Sequence, residues 1–282
     1  AQAQVESTWS VARYAGAGDD RRSETEGRLP RLQTDRLAYV HDRRLGRLGL
    51  KGSLALSSNT RVSASVTASQ GHRVQGSLLT GSDFGGTPVR ESSVDSTRRD
   101  ELRSGRADVE YRLGTNQRLT AGVQLESNRR REDRVQREHI PSWEPDLIDE
   151  RYDARARSLA LFVQDDWLPT ARTTLSLGAR LERLDTRSEG HVIDGVRRRY
   201  RLASPVLNLL WRPDAAAQWK LSLSRAYRLP EPRDLMPRRW TRPENSSLVA
   251  NFVGNPSLVP ESAWTLAGGW ERRLDGEGGA TL

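Results

Sequence analysis

Cysteine is absent from the 282 residues of this chain, which also has only one Met and three Phe. Without cysteine the chain can form neither disulfide bonds nor thiolate metal sites. It also lacks any run approaching the roughly 18 apolar residues that a membrane-spanning helix requires. The mean hydropathy of −0.72 still permits membrane strands, because these are apolar only on alternate residues and are joined by polar loops.

Tryptophan and tyrosine are the aromatic residues that the chain does contain, with eight Trp and six Tyr. Both carry a polar group on an apolar ring, so they favour the boundary between water and an apolar phase. Their excess over Phe indicates an interface rather than a dry core.

The charge balance is basic, with a formal net charge of +8 and a pI near 10.4. Such a balance raises nucleic-acid binding as an alternative function. The charges alternate in sign along the chain, as in 130–139 (RREDRVQREH), and do not form one basic stripe. A basic nucleic-acid-binding β protein is therefore the least favoured alternative, and steeply salt-dependent binding of an oligonucleotide would support it.

Alternation of apolar and polar residues is the strongest local pattern, and it puts every second side chain on one face of a strand. Between 173 and 183 the leucines share one face, and Ser176 and Arg180 lie on the other. In 217–229 and 261–271 the apolar face has an aromatic residue at each end. This pattern predicts strands with one face in water and the other in an apolar environment.

The connections between these strands alternate between two kinds. Short turns of Gly, Pro, Asn, Asp and Ser, which suit tight hairpins, are predicted at 57–60, 114–116, 169–172, 213–216 and 275–279. Longer polar loops are predicted between them at 16–35, 81–97, 132–149, 188–195 and 230–260. The resulting ten strands are 4–15, 36–57, 61–80, 98–113, 117–131, 150–168, 172–187, 196–212, 217–229 and 261–274.

Short turns at one end and long loops at the other are typical of a transmembrane β-barrel. We therefore predict an all-β fold, an antiparallel up-and-down transmembrane barrel. A soluble β-sandwich is less favoured, because it rarely needs so many strands of this length. A small soluble barrel is also less favoured, because the polar face carries too much charge to pack as its interior.

Three motifs, in order along the chain, carry a family resemblance: 158–182 (SLALFVQDDWLPTARTTLSLGARLE), 204–236 (SPVLNLLWRPDAAAQWKLSLSRAYRLPEPRDLM) and 254–262 (GNPSLVPES). They resemble the barrel strands of TonB-dependent outer-membrane receptors. In the first motif, Leu159, Leu161 and Val163 face lipid, Phe162 and Gln164 face inward, and Trp167 lies at the membrane boundary.

The resemblance implies a receptor in the outer membrane of a Gram-negative bacterium, which takes up a scarce nutrient such as a ferric siderophore. Its partners would be membrane lipid and lipopolysaccharide, a small-molecule or metal-chelate ligand, and TonB acting through a plug domain. We find no plug domain, TonB box or terminal aromatic strand, so residues 1–282 are expected to be part of one barrel domain, about ten of about 22 strands. A passive porin-like channel or an adhesin remains the alternative.

Candidate site residues fall into three groups. Ligand binding is assigned to a basic, aromatic loop that can attract an anion, with Arg228, Arg238, Arg239, Trp240 and Arg242. The lumen face is assigned Gln164, Arg180, Glu182 and Lys220, and Arg180, Lys220 and Arg228 could also pair with plug carboxylates. Membrane-interface aromatics are expected at Trp167, Trp211, Trp219, Tyr227, Trp264 and Trp270.

Catalytic and metal chemistry are not expected. The histidines His41, His72, His139 and His191 lie on different segments without ligand spacing. Asp165 and Asp166 are adjacent in a strand, so their side chains point to opposite faces and cannot act as one acid–base pair. No nucleophile elbow, phosphate loop or zinc motif occurs. We therefore expect neither an enzyme nor a cofactor.

Overall fold

A computed structural model describes residues 2–24, 31–83, 85–139, 146–191, 193–237, 239–240, 252–273 and 279–281. Its regular secondary structure is entirely β. Within these residues there is no helix of sufficient length and apolarity to cross a bilayer. The strands are β1 (Gln2–Glu24), β2 (Arg31–Ala55), β3 (Thr60–Asp83), β4 (Pro88–Leu113), β5 (Gln117–His139), β6 (Asp146–Thr170), β7 (Thr173–Gly190), β8 (Ile193–Trp211), β9 (Ala217–Arg228), β10 (Arg239–Trp240), β11 (Phe252–Val253), β12 (Glu261–Arg273) and β13 (Gly279–Thr281).

The long strands form one antiparallel sheet, in which each strand pairs with its neighbours in sequence. Its order is β1 to β9, followed by β12 and β13, while β10 and β11 form a separate two-residue hairpin. The ten long strands confirm the predicted up-and-down, all-β fold. In the described part of the chain β1 does not pair with β13, so the sheet is an open wall, consistent with part of a barrel.

Local turn chemistry explains the tight connections. Gly114 has a φ of 64°, which glycine adopts without the penalty of a side chain. The Asp214 carboxylate accepts hydrogen bonds from the amides of Ala216 and Ala217, both at 2.8 Å. Four of the five predicted turns are confirmed, because each lies between two paired strands. The fifth, at 275–279, lies largely outside the described residues.

The predicted long loops are mostly wrong, because strands occupy much of 16–35, 81–97, 132–149 and 188–195. For example, β5 and β6 remain paired out to Glu138 and Asp146. Segments 81–97 and 132–149 are largely polar and therefore resemble loops in composition, but charges in the first pair with charges in the second, as in Arg90 with Glu138 at 2.7 Å. Of the five predicted loops, 230–260 alone keeps no long strand in its described residues, which contain the short β10 and β11.

The two faces of the wall differ in chemistry. We call the face with Leu161 the outer face and the face with Phe162 the inner face. Side chains on the outer face form an apolar band near the tight turns, and many are largely exposed, Leu161 at 58% and Leu266 at 72%. Such a broad exposed apolar surface is typical of contact with another apolar phase. The band includes Leu48, Leu50, Leu54, Val62, Val66, Ala68, Val109, Leu125, Leu159, Leu161, Val163, Leu177, Leu181, Leu221, Leu223 and Leu266.

Tryptophans mark the turn side of this band. Trp211 and Trp270 are both cross-strand partners of Trp219, and the Trp219 and Trp270 rings lie 6.1 Å apart. On β6, Trp167 lies ten residues from Arg157 on the same face, which is about 33 Å along a strand or about 25 Å of depth at a ~40° tilt. This depth matches the apolar band of an outer-membrane barrel.

A glycine on the inner face is expected to be sensitive to substitution. A Cβ at Gly122 would lie 2.5 Å from both the Ala107 carbonyl oxygen and the Phe162 ring, whereas a Cβ at Gly105 would meet nothing within 4 Å. We expect Gly122→Ala to lower the free energy of unfolding by about 1–3 kcal/mol through overpacking. Gly105→Ala should change it by less than about 0.5 kcal/mol. Urea unfolding of both variants in lipid vesicles checks this, and equal stabilities would contradict it.

Candidate ligand site on the inner face

The inner face carries a polar network from the tight turns upward. Near the turns, the Asp166 carboxylate accepts hydrogen bonds from Arg118 at 2.8 Å, Gln164 at 2.9 Å and Ser176 at 2.7 Å. Asp165 lies on the outer face and accepts one from Gln117 at 2.7 Å. The two adjacent carboxylates therefore point to opposite faces, as predicted.

Above this region lies a cluster of basic side chains that we call the inner arginine cluster, consisting of Arg43, Arg73, Arg98 and Arg130. They line a depression of about 280 Å³ on the inner face. The Asp100 carboxylate lies between two of them, 2.9 Å from Arg98 Nε and 2.5 Å from Arg130 Nε. Both arginine side chains are mostly buried, at 19% and 17% exposure.

Strand register forces these like charges together. Arg43 is the cross-strand partner of Arg73, which in turn is the partner of Arg98. Directly opposed like charges normally destabilise a sheet. Asp100 and Glu132, the cross-strand partner of Arg98, offset only part of this charge. The cluster therefore keeps an excess of positive charge that an anion could neutralise.

The ionisation of the cluster reflects this crowding. Burial and the neighbouring Arg98 lower the pKa of Arg73. Burial, followed by the charge of Arg73, also lowers the pKa of His41. The His41 ring lies 3.0 Å from an Arg73 nitrogen, which also donates a hydrogen bond to Gln75 at 2.6 Å. The contacts with His41 and Gln75 orient the Arg73 guanidinium at the cluster.

The connection between β9 and β12 packs against the inner face beside the cluster. Leu235 and Met236 are fully buried against Tyr152 and Ala154, and the Ser188 hydroxyl donates a hydrogen bond to the Leu235 carbonyl at 2.8 Å. Tyr152 and Ala154 are the cross-strand partners of Glu132 and Arg130. The connection is thus anchored one strand away from the arginine cluster.

The predicted ligand-binding residues lie on both sides of this anchored segment in the sequence, Arg228 before it and the others after it. Arg228 is exposed and lies 4.0 Å from Glu261, while Arg239 and Trp240 form β10, which pairs with Phe252 and Val253. Arg238 and Arg242 lie outside the described residues, as do the side chains of Arg239 and Trp240. The sequence-based prediction missed the inner arginine cluster, whose members become neighbours only through strand register.

The remaining predicted residues divide between the faces. Arg180 donates hydrogen bonds to Glu182 at 3.1 Å and to Gln124 at 3.0 Å, and Lys220 contacts Glu271. These side chains lie on the inner face with Gln164, and each cation already has a partner on the wall itself. The six aromatic residues predicted for the membrane interface all lie on the outer face, Trp167, Trp211, Trp219, Tyr227, Trp264 and Trp270. Arg225 lies over the Tyr227 and Trp264 rings at 4.8 and 5.6 Å.

Several solved structures resemble this fold. They include the copper transporter OprC (TM-score 0.46, 11% identity, covering 97% of this chain and 52% of that chain). The siderophore receptor PiuA from Acinetobacter baumannii has a TM-score of 0.42 and 10% identity, covering 95% of this chain and 51% of that one. The ferric yersiniabactin uptake receptor FyuA from Yersinia pestis has a TM-score of 0.42 and 12% identity, covering 97% and 51%.

This chain spans about half the length of those structures. Its sequence matches no curated protein. A family model described as TonB dependent receptor-like, beta-barrel, matches residues 4–282. Because that match covers nearly every residue, the chain belongs to the TonB-dependent receptor β-barrel family.

Proposed function

We propose that this chain is part of the wall of a receptor that takes up an anionic nutrient chelate, such as a ferric siderophore, across the outer membrane of a Gram-negative bacterium. Uptake would draw energy from TonB through a plug domain that is not part of residues 1–282. The inner arginine cluster is the observation that carries the proposal of an anionic ligand. Family membership supports the transport role.

The chemistry of the cluster suits a chelate with several negative charges. Guanidinium groups form charge-assisted, often bidentate hydrogen bonds to carboxylate and catecholate-type oxygens. Partial burial reduces the screening of these charges by water and salt. Arg43, Arg73, Arg98 and Arg130 surround one depression, so one bulky anion could contact several of them at once.

The connection between β9 and β12 extends this proposed site. Its anchored part, Leu235 and Met236, is held against Tyr152 and Ala154. Arg238, Arg239, Trp240 and Arg242 follow immediately in the sequence. We propose that these residues and Arg228 make the first contacts with the ligand, which then moves to the inner arginine cluster.

Dependence on TonB is the first test of this function. In cells producing the receptor from its native gene, uptake of radioactive iron as a ferric tris-catecholate should fall to background when TonB is deleted. A passive channel would transport the same chelate equally well without TonB, and an adhesin would transport none. Uptake that persists without TonB would therefore contradict the proposal. Uptake of an uncharged ferric trihydroxamate, measured in the same way, shows how much the negative charge of the chelate contributes.

A further inference from the structure

The strands β8 and β9 pair along only part of their length. β8 pairs with β7 from Ile193 to Trp211, but with β9 only from Val206 to Trp211. Beyond that point β9 continues to Arg228 in pairing with β12. On the side away from β7, residues 193–205 therefore pair with no strand in the described part of the chain. We call this stretch the free β8 edge.

Two features mark the point where β8 and β9 separate. Pro205 is the first residue of the free β8 edge, and proline has no backbone N–H to donate to a neighbouring strand. A cavity of about 500 Å³ opens there on the outer face, and its lining includes Pro205, Leu223 and Trp264. The sequence thus favours separation of the two strands at this point.

The free β8 edge offers backbone groups for hydrogen bonding. In a strand that pairs on one side only, about half of the N–H and C=O groups point to the other side. The connection between β9 and β12 passes the edge on the inner face, where Tyr200 donates a hydrogen bond to the Leu258 carbonyl at 2.9 Å and Arg198 to the Ser257 hydroxyl at 3.4 Å. Within the described residues, no backbone hydrogen bond joins this connection to 193–205. The edge can therefore accept an additional strand, the binding mode called β-augmentation.

The side chains along the edge are strongly basic. Residues 197–201 read RRRYR, and all four arginines are exposed. Arg199 is paired with Asp185 at 2.7 Å. Among the residues that the structure describes, however, no carboxylate oxygen lies within 4.0 Å of Arg197 or Arg201. These two cations are available to an external carboxylate.

Strand register sets the same two cations against like charges. Arg197 is the cross-strand partner of Arg187, and Arg201 is that of Arg183. Directly opposed like charges destabilise a sheet, whereas opposite charges stabilise it. A strand added on the free side, with carboxylates at alternate positions, would place them beside Arg197, Arg199 and Arg201, which share the outer face. A second copy of this chain does not suit the edge, because pairing two β8 edges would bring arginines together.

The basic part of the edge lies at the loop-side limit of the apolar band. Arg201 is ten residues from the boundary residue Trp211 on the same strand face. That separation corresponds to about 25 Å of depth, the height of the apolar band. Residues 197–201 therefore lie at the membrane surface and beyond it, where a water-soluble protein can reach them.

We propose that the free β8 edge binds an extended acidic segment of an extracellular protein by β-augmentation. The added strand pairs with the backbone of 193–201 and places alternate Asp or Glu side chains beside Arg197, Arg199 and Arg201. This surface is separate from the ligand site on the inner face. It rests on the proposed function only for the placement of the loop side outside the cell.

The first test measures peptide binding to the receptor produced from its native gene and purified in detergent. The probe is a fluorescent ten-residue peptide of alternating Glu and Thr, and anisotropy compares it with two control peptides. One has the same composition with its five Glu contiguous, and the other is the alternating peptide methylated on every backbone nitrogen. We expect the methylated peptide to bind at least about thirtyfold more weakly, because it loses several backbone hydrogen bonds. The contiguous peptide should also bind more weakly, because it cannot place a carboxylate at every second position.

Hydrogen exchange of the wild-type receptor locates the bound peptide without any variant. The alternating peptide should slow amide exchange within 193–201. Exchange within 206–211 should not change, because those residues are already paired with strands on both sides.

A variant with Arg197→Gln and Arg201→Gln tests the charge of the edge. We expect it to bind the alternating peptide about three- to thirtyfold more weakly, as the loss of two exposed ion pairs implies. A matched variant with Arg172→Gln and Arg212→Gln, at the tight turns, should bind it normally. Absence of binding to the wild type, equal binding of either control peptide, protection confined to other strands, or full affinity of the edge variant would each overturn the proposal.

Two cell measurements separate this proposal from the transport function. Peptide binding to the purified receptor and to intact cells, with iron uptake that persists without TonB, would reject the transport function and support the edge site. TonB-dependent uptake without peptide binding would reject the edge site alone. Binding to the purified receptor but not to intact cells would overturn the assignment of an extracellular partner.

Discussion

Replacing Arg98 and Arg130 together by glutamine is expected to weaken binding of a ferric tris-catecholate by about a hundredfold or more. Hydrogen bonds to charged groups contribute about 1.5–3 kcal/mol each, so losing two removes at least about 3 kcal/mol, and each 1.4 kcal/mol is a factor of ten. Both side chains are mostly buried, at 19% and 17% exposure, so water screens them only partly. Titration calorimetry on the purified receptor measures the change.

The double variant would leave the Asp100 carboxylate without either of its arginine partners, which by itself would repel an anion. Adding Asp100→Asn to the same variant removes that repulsion, and affinity should remain low if the arginines themselves bind the ligand. Arg112→Gln is the matched control, because Arg112 lies near the tight turns and is paired with Glu110 at 3.3 Å. Recovery of wild-type affinity in the triple variant, or an equal loss for an uncharged ferric trihydroxamate, would exclude the cluster as an anion site.

The order of the strands and the two faces of the sheet could be predicted because both depend on local sequence patterns. Alternation along 173–183 separates the two faces without knowledge of any partner strand. Turn residues such as Gly114 and Asp214 specify tight hairpins through their own backbone and side-chain chemistry. These two signals are sufficient to predict ten strands and their up-and-down order.

The extent of the strands on the loop side could not be predicted from composition. In 132–149 the side chains are charged on both faces, so the segment lacks the apolar alternation that indicates a strand. Its regular structure comes from pairing of β5 with β6 and from cross-strand charge pairs such as Arg134 with Glu150 at 3.5 Å. These interactions depend on which residues face each other and are not visible in either segment alone.

The inner arginine cluster was missed for a related reason. Arg43 and Arg130 are 87 positions apart in the sequence, and three successive strand pairings bring their strands to one depression. A register shift of one residue on any of these strands would turn its arginine to the outer face. The packing of the connection between β9 and β12 against the inner face did have a sequence signal, because Leu235 and Met236 are adjacent apolar residues in a largely polar segment.

The assignment of the apolar band to lipid predicts a large difference between two equivalent leucines on β6. Leu161 and Leu147 lie on the same face of the same strand and are similarly exposed, at 58% and 64%. Leu161 lies within the apolar band, whereas Leu147 lies 14 residues away on the same strand, at its loop-side end. If the outer face contacts lipid only along the band, the same substitution must lower the free energy of unfolding strongly at Leu161 and little at Leu147.

We therefore expect Leu161→Arg to lower the free energy of unfolding in lipid vesicles by about 2–4 kcal/mol, the cost of a cation near the bilayer midplane. Leu147→Arg should change it by less than about 1 kcal/mol, as expected at or beyond the membrane surface. In cells, the amount of heat-modifiable, folded receptor in the outer membrane should fall for the first variant only. Comparable effects of the two substitutions would contradict the membrane assignment, because in a water-soluble sheet both arginines would simply be solvated.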